Sequence, residues 1–173
     1  MDEFSVFNKS KHLKPEFDKL KFDSLHDWEL GWEILKPIDK AKSDEHEKEL
    51  SKQFSPGQKA LYFFWYLDAQ VTNGGFIQFY WNGYRRYLPT IVKGLELLED
   101  KDLIELITKV DKEYLNNLKT FEKQQGLNDW EPLYKNLTEF EKYDSIYFSI
   151  HDNTMKKIEN YIRQNPDDFV TLK

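Results

Sequence analysis

From residue 57 to residue 95 the chain carries one acid, Asp68, against four bases, inside a sequence that is otherwise densely charged. Elsewhere acids and bases alternate closely, so that charged residues make up 32% of the chain and the formal net charge is −6. The neutral stretch is also crowded with rings, among them Tyr62, Phe63, Phe64, Trp65, Tyr66, Phe79, Tyr80 and Trp81. A long segment that avoids charge and is rich in aromatics belongs inside, because each ring removes a large apolar area from water. The chain is therefore expected to fold around its middle, with the charged flanks as cover. With 13 Phe, 10 Tyr and 5 Trp there is enough apolar area for a sizeable core, and 173 residues suit one domain.

Several chemistries are excluded or disfavoured. There is no Cys, hence no disulfide, thiol catalysis or Cys-ligated metal. Seven Gly leave no P-loop and no dinucleotide fingerprint. The acidic balance disfavours direct nucleic-acid binding, which needs Lys and Arg to displace counterions, and it suits a basic protein partner. No stretch approaches the roughly 18 apolar residues of a membrane span. Met1-Asp2-Glu3-Phe4 lacks the basic and apolar regions of a secretory signal. Together these point to a cytoplasmic protein with no membrane contact.

The flanks read as helices. Ser24 is a candidate cap for a helix carrying Leu25, Trp28, Trp32 and Leu35, and Ser43 precedes Asp44 and Glu45, two acids that favour a helix N-terminus. Ser55-Pro56-Gly57-Gln58 combines a cap, a proline at the first helical position and a Gln three residues after the cap. A helix fits Pro89 to Glu99. After Asp100, the apolar positions Leu103, Ile107, Val110, Tyr114, Leu118 and Phe121 recur at three and four, predicting one helix to near Gly126. Asp152 is a candidate cap for a last helix with Met155, Ile158 and Ile162, stopped at Asn165-Pro166. The middle is ambiguous. Phe63, Trp65, Leu67, Ala69 and Val71 alternate and Asn73-Gly74 follows, which reads as a strand and hairpin turn. The capping signature before it and the helix formers within it argue for helix.

Candidate chemistry is sparse. His12, His26, His46 and His151 fall in no metal-binding spacing; His46 among Asp44, Glu45 and Glu47 reads as a solvated helix face, and no metal or cofactor is expected. Ser149, His151 and Asp152 are too close in sequence for a hydrolase triad, which is assembled from separate elements. Asp68, alone in its apolar setting, is either a catalytic carboxylate or, as the favoured reading, an acceptor for backbone amides of the Asn73-Gly74-Gly75 turn. Trp65, Tyr66, Phe79, Tyr80 and Trp81 are either core or a stacking surface for sugars or bases, core being favoured.

The run Asn73-Gly74-Gly75-Phe76-Ile77-Gln78-Phe79-Tyr80-Trp81-Asn82, with Asp144-Ser145-Ile146-Tyr147-Phe148 and the segment Tyr161 to Phe169, resembles the DMP-type DNA-mimic protein family over about residues 55–170. One departure is Gln70, where members often carry Glu. The resemblance implies an all-α fold: a single compact multi-helix domain over 1–173, with 1–54 as a helical extension and 55–170 as the family core. It implies that residues 57–72 are helix and that Asn73-Gly74-Gly75 breaks the chain between two helices. Asp68, Asn73, Gly74, Gly75, Gln78 and Asn82 then read as a structural motif, with the three amides satisfying backbone groups of the turn. The resemblance also implies no enzymatic activity, and a role in which acidic residues imitate DNA phosphates and occupy a transcription regulator's DNA-binding face.

The acidic residues lie at 96–113, with seven acids and three bases. The candidate partner-binding residues are Glu96, Glu99, Asp100, Asp102 and Glu105, a set thinned by the Glu105–Lys109 spacing of four, which favours pairing. A homodimer would bring two such patches together. The leading reading is a non-enzymatic acidic interaction module for a basic, DNA-binding protein. The alternatives are a small-ligand-binding protein or enzyme with a pocket near Asp68 and Gln78, and an immunity-type inhibitor of a toxin.

Overall fold

In the computed structural model, which describes residues 7–173, ten α-helices follow one another among those residues. They are α1 (Lys19–Ser24), α2 (Asp27–Leu35), α3 (Asp44–Ser51), α4 (Pro56–Trp81), α5 (Leu88–Leu97), α6 (Lys101–Asn116), α7 (Leu118–Leu127), α8 (Glu131–Asn136), α9 (Glu139–Gln164) and α10 (Pro166–Phe169). Two-residue strands β1 (Glu16–Phe17) and β2 (Thr171–Leu172) pair in parallel. The expectation for Met1–Phe4 lies outside the described residues. No helix among the described residues is long and apolar enough to cross a membrane.

The all-α expectation holds, and the hairpin reading of the middle does not. α4 starts with the full capping box: Ser55 Oγ accepts the Gln58 N–H, and Gln58 Oε1 accepts the Ser55 N–H. The alternation that resembled a strand is what a helix looks like when it is covered on most sides. Residues 57–64 of α4 are buried without a gap, so no polar stripe marks the helical period. α4 packs against α5, α9 and α2. The approach to α5 is close enough that a Cβ on Gly94 would lie 2.8 Å from the Ala60 Cα.

Three boundaries differ from the sequence reading. Ser24 ends α1, and α2 begins at Asp27 after His26. The long helix expected after Asp100 is broken at Asn117, which closes α6 and leads into α7. α9 runs unbroken from Glu139 to Gln164, so Asp152 sits inside a helix with an exposed side chain and caps nothing. Its exposed face gives residue 152 no role in helix initiation.

One contiguous core reaches from Phe17 to Val170 and includes Phe22, Leu30, Ile34 and Phe54 of the N-terminal part. The tie between the ends is Gln58, which is 0% exposed. Besides Ser55, its Oε1 accepts from His12 Nε2, and its Nε2 donates to the carbonyls of Leu13 (2.7 Å) and Phe169 (3.1 Å). Two acceptor and two donor valences are all used, which is the full capacity of a primary amide. Gln58→Ala keeps the Ser55 Oγ bond to the residue-58 N–H but removes the reciprocal half of the capping box and leaves the Ser55 N–H and the carbonyls of Leu13 and Phe169 without this partner. It is expected to cost about 3 kcal/mol in urea denaturation with an unchanged slope.

Candidate functional site

The Asn73-Gly74-Gly75 element is a joint inside α4. Gly74 (φ −151°, ψ 24°) and Gly75 (φ 72°, ψ −176°) leave the helical region between two helical halves. The carboxylate that serves this joint is Asp144 on α9: its Oδ1 accepts the Phe76 N–H at 2.8 Å, capping the second half of α4 from another helix. That is the role expected of Asp68. Gly75 is required twice over, because its φ is positive and a Cβ there would lie 2.3 Å from Asp144 Oδ2. Burial pushes the Asp144 carboxyl above its ordinary value, the Phe76 N–H working in the other direction.

The amides of the motif bond to one another and not to the backbone of the turn. Asn73 Nδ2 donates to Gln78 Oε1 (2.8 Å), Gln78 Nε2 to Gln70 Oε1 (3.0 Å), and Asn82 Nδ2 to the same Gln70 oxygen (2.7 Å). Gln70, the departure noted in the sequence, is thus the hub of a ladder of four amides. Beside it, Gln78, Trp81, Asn82, Trp130 and Tyr134 line a recess of about 370 Å³. The Tyr134 hydroxyl donates to the Gly74 carbonyl at 2.6 Å and seats α8 against the joint.

Asp68 does not line that recess. It is 4% exposed, and its Oδ1 accepts from the Tyr147 hydroxyl and from His151 Nε2, each at 2.8 Å. The expectation that it binds the turn's amides is therefore corrected: the side chain leaves α4 toward α9, where hydroxyl and imidazole supply stronger donors than a distant turn. The hydrogen bond to Asp68 raises the His151 pKa above its ordinary value, against the lowering effect of burial.

Around His46 the solvated-face reading holds for Asp44, Glu45 and His46, which are exposed, but not for Glu47. Glu47 is buried and accepts from three tyrosine hydroxyls, Tyr62 (3.2 Å), Tyr66 (2.5 Å) and Tyr87 (2.5 Å). Burial, with Glu47 beside it, pushes the Tyr87 hydroxyl up to about 12. Among the described residues no group of three or more His, Asp or Glu is arranged to hold a metal. Of the proposed stacking aromatics, Phe79 and Tyr80 are core, while Trp65, Tyr66 and Trp81 are half-buried.

The acidic residues between α5 and α6 divide. Glu96, Glu99, Asp102 and Glu105 are exposed. Asp100 is not a surface residue: it is 1% exposed, caps α6, and binds Thr154 Oγ1 (2.6 Å) and Lys157 Nζ (2.8 Å) of α9. Its carboxylate is consumed in fixing α6 to α9 and leaves the candidate set. Glu105 pairs with Lys109 at 2.6 Å, as the spacing predicted. Glu96, Glu99 and Asp102 form no ion pair among the described residues.

The sequence model of the family described as DMP19-like protein matches residues 52–165. The chain belongs to that family. The DMP19-like match begins just after α3 and ends just after α9, so it contains the joint, its Asp144 clamp, the Asp68–His151 pair and the acidic turn. A similar protein is the DNA mimic protein DMP19 of Neisseria meningitidis serogroup B (strain ATCC BAA-335 / MC58). It is 30% identical over 121 residues, covering 68% of this chain and 73% of that one.

The raised His151 pKa has a definite sign. A group whose folded pKa exceeds its unfolded value adds stability that is fully present below the unfolded value of about 6.5 and is lost as pH rises through the folded one. The stability gap between the wild type and His151→Gln is expected to be widest below pH 6.5 and to narrow above it. Denaturant midpoints of both proteins across that range read this directly.

Proposed function

We propose that the chain is a non-enzymatic acidic module that binds a basic, DNA-binding protein and competes with DNA for its contact face. The support comes from membership in the DMP19-like family, from a relative that is itself a DNA mimic, and from the geometry of the acidic turn.

The observation that carries the reading is Glu99. At the end of α5 the Asp100 N–H donates to the Leu95 carbonyl (2.9 Å) and the Glu99 N–H to that of Glu96 (3.1 Å), which closes the helix through a left-handed residue. That residue is Glu99, with φ 55°. Glycine is the unstrained choice at such a position. Here an exposed carboxylate is held there instead, between Glu96 and Asp102, with no ion pair among the described residues. Three carboxylates within seven residues then project from a turn whose underside is nailed to α9 by Asp100.

The field is modest. Duplex DNA carries about one charge per 1.7 Å, whereas α6, about 24 Å long at about 1.5 Å per residue, has Glu105 masked by Lys109. The proposed contact is therefore centred on Glu96, Glu99 and Asp102 and excludes Asp100. Binding of this kind is sensitive to salt, because exposed charges are screened within about 10 Å at 0.1 M.

The test is capture of the partner from cells that produce the chain, then titration of the purified pair. A basic protein displaceable by duplex DNA is expected, with affinity falling as salt rises. Changing Glu96, Glu99 and Asp102 together to Gln should weaken binding by about tenfold or more. Affinity that ignores salt, or that survives the triple change, would sink the proposal. Glu99→Gly separates stability from function: it should stabilise the fold by about 0.5 to 1 kcal/mol while weakening the complex.

A further inference from the structure

The recess between the second half of α4 and α8 has a composition that the acidic-binder reading does not use. Its lining, Gln78, Trp81, Asn82, Trp130 and Tyr134, contains no ionisable carboxylate or cation. Burial raises the Tyr134 hydroxyl above its ordinary value, so that wall stays neutral at physiological pH. About 370 Å³ lies within the usual range of small-ligand sites, near its lower end.

The walls are held by contacts within the fold. Trp130 and Tyr134 meet edge to face, with centroids 5.5 Å apart and planes at 83°, and form a corner. Tyr134 is tied to the Gly74 carbonyl, and Gln125 Nε2 donates to the Trp81 carbonyl at 3.0 Å. On the floor, the amide ladder fixes Gln78 and Asn82 through Gln70. Each of these amides has hydrogen-bonding capacity left over: Gln78 uses one of its two N–H groups, and Asn82 uses one N–H and leaves its carbonyl oxygen open. Trp130 is 52% exposed and presents a large apolar surface at the rim.

Ligand classes can be eliminated on chemistry. A phosphorylated or otherwise anionic ligand finds no cation in the lining, and the chain as a whole is acidic. A cationic ligand finds no carboxylate there. A purely apolar ligand would bury the amide floor unpaired, which is unfavourable. What fits is a flat, uncharged ring with one apolar face for an indole and hydroxyls at its edge for amides that can both donate and accept. We propose that this recess binds the neutral sugar ring of a saccharide, with its C–H face on Trp130 and its hydroxyls on Gln78 and Asn82. Prearranged walls lower the ordering cost of such a site.

The test uses the full chain and four probes: glucose, N-acetylglucosamine, maltose and chitobiose. Tryptophan fluorescence and calorimetry should show saturable binding by at least one of them at about millimolar concentration. Trp130→Ala should weaken it by about tenfold while keeping the wild-type unfolding midpoint, and Asn82→Ala should weaken it by about as much. Trp28→Ala, which removes an exposed indole from α2, should leave it unchanged. Silence from all four probes at concentrations about a hundredfold higher overturns the proposal. So does affinity that neither variant moves, or tighter binding of adenosine at the same residues, which would make the recess a base-stacking site. A wild-type dimer that Trp130→Ala and Tyr134→Ala both dissociate would make it an interface between copies, and overturns the proposal as well.

Discussion

The fold depends on one buried amide. Gln58 joins the chain near its start, at His12 and Leu13, to the first turn of α4 and to the carbonyl of Phe169. The helix that starts at that anchor organises much of the fold: α4 packs against α2, α5 and α9 and bends at Gly74-Gly75 beside the recess it shares with α8. The bond to Phe169 spans 111 residues of sequence. The first turn of the central helix is therefore completed by a residue from the far end of the chain.

Carboxylates are divided between two tasks. Asp68, Asp100, Asp144 and Glu47 are inside or nearly so, and each meets donors on another element: a tyrosine and a histidine, a threonine and a lysine, a backbone N–H, three tyrosines. They fasten α9 to α4 and α6 and fasten α3 to α4. At the turn between α5 and α6, by contrast, Glu96, Glu99 and Asp102 stay exposed and form no ion pair among the described residues. The same Asp100 that holds this turn from below gives the exposed Glu96, Glu99 and Asp102 a rigid base. Preorganised charges lose less on binding than charges on a mobile loop.

What was legible in the sequence was local. The helix start after Ser43, the Ser55 cap, the three–four periodicity of α6 and the Glu105–Lys109 pair involve neighbours along the chain and could be read directly. The helix at the middle was not decidable from periodicity, since a helix buried on most sides has no polar face to mark its turn; the resemblance decided it. Asp144 as the clamp of the joint, Glu47 as the hub of three tyrosines and Asp100 as a buried post depend on partners 15 to 68 residues away, which no local pattern encodes. Gln70 was noticed only as a departure, and its meaning lay in two amides eight and twelve residues on. The exposure of Glu96, Glu99 and Asp102 follows simply from a polar face, whereas Asp100 beside them is buried.

Gly75 and Asp144 cannot change independently. A side chain at residue 75 collides with the carboxylate of residue 144, and a different residue at 144 leaves the Phe76 N–H without its acceptor. The two positions therefore act as one steric and hydrogen-bonding unit: only a residue without a Cβ fits opposite the Asp144 carboxylate, and only a side-chain acceptor at residue 144 closes the free N–H that starts the second half of α4.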